Sequence, residues 1–442
     1  MSANLDHVYE RINLQKTALP VMYGDVDFDI VPERFTENVD ESTAAGRSQY
    51  SRPPEDMIET ARAYSMLGDV TADAYAALIP QCGFRKLIQM LQTACDHGIE
   101  AVEDAPPELV KLISEMEREP EWLNMDLVRE GARLNRLPAA VTSPWMIRGA
   151  FLATFLNKYA ALPMALTGTL SDSGSARRVN ETATFFASTT LPNALEKGGE
   201  GFKAAAMVRL MHSMVRFNVL RKVGGWDVKT YGIPIPQLDQ MPAGLIDVFL
   251  LAYEMIDQGR TEFTEEERAR VEFSRYRCYL LGLPEDLLMD TPQGIVDIMN
   301  ARNGTLRSGF DDATCGALIR ATMKAYLPNT KSLGNRMFNA IEKRFARVVF
   351  LKFFLNGNKK AAEDMGVHVS GLDFATALFI MPLMSIQTAW YKMLWRIPAL
   401  KTMADKRLTR RVRKLLDRYG HAEFTTDAEA YRPKRPQATA AE

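Results

Sequence analysis

Cysteine and histidine are both scarce in this chain. The four cysteines (Cys82, Cys95, Cys278, Cys315) are scattered over 442 residues and form no C-x-x-C pair. That argues against a zinc site or a disulfide scaffold and fits a reducing compartment. The five histidines (His7, His97, His212, His368, His421) are equally dispersed, which gives no basis for a multi-histidine metal site. Also missing are H-E-x-x-H, G-x-S-x-G, a Walker loop, a Rossmann glycine fingerprint and the E-x-x-H pairs of di-iron bundles. The commonest routes to metallohydrolase, serine-hydrolase, nucleotide and di-iron chemistry are therefore closed.

Charge imbalance is lacking too. A net charge of −1 supplies no global attraction to nucleic acid, and none is expected as a partner. The N-terminus has no basic region followed by an apolar run, so no cleaved signal peptide is expected and the chain reads as cytoplasmic. Neither β-alternation of useful length nor a repeat period occurs, so the expected fold class is all-α.

What is present is helical patterning broken by proline. Residues 1–60 read as a polar, partly irregular arm, 61–330 as a helical core, 331–418 as a C-terminal helical region and 419–442 as a disordered tail. Helical segments around 72–80, 84–98, 107–118 and 125–136 are separated by prolines, with Pro138 expected to close the last. Phe151–Leu166 reads as a buried helix broken or kinked near Pro163, with a turn at Ser171–Ser175 and a helix over Ala176–Phe186. Residues 223–239 read as a loop, 242–257 as a helix, and Thr264 with Glu267 as a capping box opening the next helix.

Two stretches carry chemical information. Lys203–Lys222 has helical periodicity and places His212 on a face with Ala205, Val208, Val215 and Val219. Arg209 and Arg216 lie one turn to either side of it. An imidazole on an apolar wall beside guanidiniums suits an axial ligand of haem, which needs only one protein ligand while apolar walls hold the ring. Spacing alone favours a hydrogen-bonded core histidine. Phe374–Tyr391 carries no charge and is followed by the basic stretch Lys392–Arg418, with Trp390 and Trp395 near the junction. It reads as a buried helix, a helix in a membrane interface or, less readily given Pro382, a span. The basic run at 406–414 suits a solvated face or anionic headgroups, so residues 374–418 are a candidate for peripheral membrane contact.

Three motifs in register carry a resemblance. Val208–Arg216 (VRLMHSMVR), Arg178–Thr182 (RVNET), whose threonine lies thirty residues before His212, and Tyr231–Asp239 (YGIPIPQLD) together resemble the haem oxygenases typified by rubber oxygenase and the ER-bound oxygenase of mycophenolic acid biosynthesis. In the third motif Gly232, Pro234, Ile235, Gln237 and Asp239 match, while Pro236 and Leu238 replace polar residues. The resemblance spans roughly 145–290 and implies a partly globin-like α-helical core. It further implies haem b with His212 as the proximal iron ligand, and Arg178 and Thr182 as distal residues. The activity it implies is O2-dependent cleavage of a carbon–carbon double bond in an apolar chain. Arg209 and Arg216 are then candidates for the haem propionates by charge and spacing, or else surface arginines. Glu181 stands where the rubber enzyme has lysine, and no Asp or Glu occurs between Trp145 and Ser171 to serve as that enzyme's base. Glu181 either takes that base role or pairs with Arg178 at i,i+3. The expectation is a haem-dependent oxygenase or oxidase acting on an apolar, unsaturated small molecule or lipid. The alternative is a non-enzymatic haem- or lipid-binding protein that docks on membranes.

Overall fold

The computed structural model describes residues 5–29, 52–166, 172–223, 226–305 and 310–420, and among these every regular element is helical. Counting helices of seven residues or more, the N-terminal part gives α1 (Asp6–Ala18), α2 (Glu55–Tyr64), α3 (Val70–Ala76), α4 (Phe84–His97) and α5 (Pro107–Glu117). The middle of the chain forms α6 (Met125–Val141), α7 (Ser143–Ala153), α8 (Lys158–Leu166), α9 (Asp172–Ser188) and α10 (Glu200–Asn218). There follow α11 (Met241–Asp257), α12 (Glu265–Leu280), α13 (Pro292–Thr305) and α14 (Ala317–Lys324). The chain then adds α15 (Leu333–Val349), α16 (Gly371–Trp395) and α17 (Pro398–Tyr419).

Local chemistry explains most starts. The Asp69 side chain caps α3 by accepting from Ala72 N, and Asn124 caps α6 by accepting from Asp126 N and Leu127 N. Thr264 and Glu267 form the expected capping box of α12, and Ser370 with Asp373 forms a second one at α16.

The site-bearing helix α10 runs through the main core, packed between α3 and α4 on one side and α9 and α12 on the other. Helices α6 and α12 approach closely because Gly131 has no side chain: a Cβ there would lie 2.1 Å from the Ala269 carbonyl oxygen. A second cluster gathers α7, α9 and α14, a third joins α6 to α17, and a fourth sits between α15 and α16.

Several expectations are corrected. Pro138 does not end α6, which continues to Val141 because Leu137, Ala139, Ala140 and Val141 are all buried and their packing outweighs one lost hydrogen bond. In Phe151–Leu166 the break falls at a 3₁₀ turn, Thr154–Leu156, and Pro163 lies inside α8. The residues expected as a turn at Ser171–Ser175 are helical from Asp172, while Ser171 lies outside the described residues. The expected loop at 223–239 contains a helical turn, Val228–Tyr231, and runs into a 3₁₀ turn, Gln237–Gln240. Within residues 1–60, α1 is regular and buries Val8, Ile12 and Gln15. Residues 30–51 and the tail beyond Gly420 lie outside the described residues.

Candidate active site

His212 sits deep in the fold at the middle of α10. Its chain neighbours Met211, Ser213, Met214, Val215 and Arg216 are buried, yet its own side chain keeps some accessible surface. Its Nδ1 lies 2.7 Å from Nε2 of Gln240, the last residue of the 3₁₀ turn before α11. Burial, then the charges of Arg216 and Arg178, hold the imidazole down at about 4, so it is neutral at physiological pH. A neutral imidazole oriented through one nitrogen is the form that ligates a metal with the other.

Arg178 and Glu181 are both buried on α9, and Nη1 of Arg178 lies 2.9 Å from Oε2 of Glu181. Nε of Arg177 lies 3.9 Å from the other carboxylate oxygen. Glu181 is thus held by arginines of its own helix, the geometry of the pairing alternative. Arg178 is close enough for its charge to act on His212. Thr182, the next residue after Glu181, is half-buried.

Arg209 and Arg216 are neither surface residues nor available cations. Both are fully buried. Arg209 reaches Asp69 through Nε and Nη2, each at 2.7 Å, and Glu115 at 2.6 Å. Arg216 Nη1 lies 2.6 Å from Asp73, and its Nη2 donates to the Ile235 carbonyl at 2.5 Å. Asp73 in turn accepts from the Tyr23 hydroxyl at 2.5 Å. With both guanidiniums neutralised by carboxylates of the chain, the charge argument for propionate partners falls away. Their work is to clamp α10 to α3.

The third motif is organised by the same clamp. Gly232 has φ +73°, and a Cβ there would lie 2.5 Å from the Ser65 carbonyl oxygen. Ile233 N and Gln237 N donate to the Ser65 and Leu67 carbonyls. Asp239 accepts from the Tyr159 hydroxyl at 2.7 Å and from Arg302 at 3.0 Å. The segment thereby delivers Gln240 to His212. Sequence reasoning missed Gln240, Asp69 and Asp73. Asp69 and Asp73 stand at i,i+4 and Arg209 and Arg216 at i,i+7, spacings that put each pair on one helix face; that complementarity was the available signal.

The arrangement fits an axial haem ligand: a neutral imidazole among apolar residues, oriented by an amide, within reach of the charge of a buried arginine. Among the described residues no group of three or more His, Cys, Asp or Glu could hold a bare metal ion.

Residues 139–371, more than half of the chain, match the sequence profile described as "ER-bound oxygenase mpaB/B'/Rubber oxygenase, catalytic domain". Among solved structures, latex clearing protein in its closed state superposes with a TM-score of 0.56 at 16% identity. The match covers 80% of this chain and 91% of that one, and it supports the fold alone. No curated protein matches the sequence.

Proposed function

Because the chain belongs to the ER-bound oxygenase mpaB/B'/rubber oxygenase family, and is an oxygenase, we propose that it works with haem b bound through His212 and acts on an apolar, unsaturated small molecule or lipid. Family membership sets the non-enzymatic alternative aside. The observation that carries the haem reading is the His212–Gln240 pair, a neutral imidazole held through Nδ1. Haem b would supply the redox iron that activates O2, with oxidative cleavage of a carbon–carbon double bond as the reaction the resemblance implies.

The chain's own residues divide the remaining work. Gln240 fixes the ring plane of His212 and selects its tautomer. Arg178, whose Nη1 contacts Glu181, supplies a buried, permanently charged guanidinium near the imidazole, and its further donors are suited to stabilising negative charge that develops on oxygen. Glu181 anchors that guanidinium, which makes it a positioning residue rather than a free base. Thr182 adds a hydroxyl beside them that can orient a water or the substrate. The clamp formed by Asp69, Asp73, Arg209 and Arg216 holds α10 in register. A cytoplasmic enzyme with peripheral membrane contact through residues 374–418 agrees with an apolar substrate and with four unpaired cysteines.

The test is the absorption spectrum of the purified protein, with and without His212→Ala. A Soret band in the wild type that is lost or shifted in the variant supports the reading. No Soret band after reconstitution with haem, or an identical one in the variant, sinks it.

A further inference from the structure

Helix α16 is 25 residues long and is apolar enough to span a membrane by length and composition, yet most of it is neither buried nor free on all sides. One face packs inward: Asp373, Ala377, Ile380, Tyr391 and Leu394 are buried against α15, α6 and α17. The opposite face carries Leu372, Phe379, Leu383, Ile386, Trp390 and Met393, all exposed. Their spacing of 7, 4, 3, 4 and 3 residues puts them on a single stripe, about 30 Å long at 1.5 Å per residue. Leu378, 75% exposed, and Met381 widen it. At 100° per residue the exposed apolar arc covers roughly 200° of the circumference, far broader than the narrow seam of a two-helix contact. Exposed apolar surface of this extent on a globular protein marks an interaction site.

Charge identifies the occupant. From Gly371 to Ala404 the sole acid is Asp373, and it is buried. The cations cluster at the ends of the stripe. Lys352 and Lys359 lie over the Phe374 ring at one end, at 5.9 and 5.6 Å, and exposed Lys392 and Arg396 stand at the other. Trp390 sits at the boundary between apolar and basic surface. The basic run at 406–414 is a different case. Helix α17 buries Ala404, Leu408, Val412, Leu415 and Leu416 in the protein, so its basic residues form the outer side of a docked helix.

We propose that α16 lies flat in the headgroup region of an anionic bilayer, its stripe inserted among acyl chains and its terminal cations on lipid phosphates. This rests on the reading of peripheral membrane contact above and names the helix responsible. The inward face stays on the protein, so the helix does not span. A second copy of the chain would bring the same cations to the same face. A lipid leaflet meets them with opposite charge and also holds the apolar substrate.

The experiment is vesicle flotation of the full haem-loaded chain on phosphatidylcholine alone and with phosphatidylglycerol. The variants are Phe379→Ser with Ile386→Ser, and Lys392→Ala with Arg396→Ala. Wild-type binding should be strongest on the anionic vesicles. The apolar variant should lose it by roughly a hundredfold, with helicity and Soret band unchanged. The cation variant should lose the preference for anionic lipid. Equal binding by wild type and apolar variant would overturn the assignment to α16 and leave membrane contact to another surface. No wild-type binding to either vesicle would overturn both. A wild-type dimer that the apolar variant converts to monomer, without vesicle binding, would give the face to a second copy.

Discussion

Gln240 holds His212 through Nδ1 at 2.7 Å, from a segment that is itself pinned to the Ser65 and Leu67 carbonyls just after α2 by backbone hydrogen bonds and to α10 by Arg216. The Gln240 amide turns its Nε2 toward Nδ1; if Nε2 of His212 ligates iron, the ring proton resides on Nδ1 and the amide turns over to meet it with Oε1 as acceptor. Gln240→Leu should then lower haem affinity by about 10- to 100-fold while leaving the helical fold intact. Haem titration of the apoprotein measures this, and unchanged affinity would remove Gln240 from the site. Gln240→Glu should give the imidazole more anionic character and make the iron midpoint potential more negative.

Arg178→Ala should retain the Soret band and lower turnover by about 100- to 1,000-fold, the scale of losing a preorganised donor. Glu181→Gln should lower turnover less, because it loosens Arg178 without removing its charge. A Glu181→Gln variant as inactive as Arg178→Ala would return Glu181 to the role of base.

The clamp is a stability element. Asp73→Ala leaves Arg216 buried beside an uncompensated space, which should cost about 3–5 kcal/mol in denaturant unfolding. Removing both partners, as Asp73→Leu with Arg216→Met, should recover much of that. If the double variant is no more stable than Asp73→Ala, the cost has another source.

His212 carries a pH signature in the haem-free protein. Its folded-state value of about 4 lies below the ordinary one of about 6.5, so between these the unfolded chain binds a proton that the fold refuses. Stability therefore rises with pH across this window and is lost as pH falls from about 6.5 toward 4, by at most about 3 kcal/mol. Melting temperatures between pH 7 and pH 4 should fall less steeply for His212→Ala. Parallel curves would contradict the assignment.

Gly131→Ala should destabilise by about 1–3 kcal/mol or more, because the new Cβ meets the backbone of α12 rather than a movable side chain. Thermal melts of this single variant suffice as the check.

How much of this was legible follows from the range of the interactions. The helix around His212 and the capping box at Thr264 depend on residues a few positions apart, and both stand where periodicity puts them. Pro138 escapes the local rule because the four buried residues around it have partners elsewhere in the chain. Sequence leaves Arg209 open between a propionate partner and a surface arginine because its actual partner, Asp69, is 140 residues away, beyond any window a pattern can span. Residues 374–391 left three readings open, since hydropathy reports that a surface is apolar and not what covers it. The exposed stripe on α16 decides against burial.

The clamp also separates ancestry from autonomy. The stretch recognisable as an oxygenase catalytic domain begins at residue 139, whereas Tyr23, Asp69, Asp73 and Glu115, which neutralise or brace the arginines of α10, all precede it. A chain cut at 139 would lose α3, α4 and α5 together with these carboxylates, and would leave the inward face of α10, its two arginines and the apolar residues beside them, open to water. The inherited catalytic segment is therefore not a transplantable one: the N-terminal helices are its counter-ions.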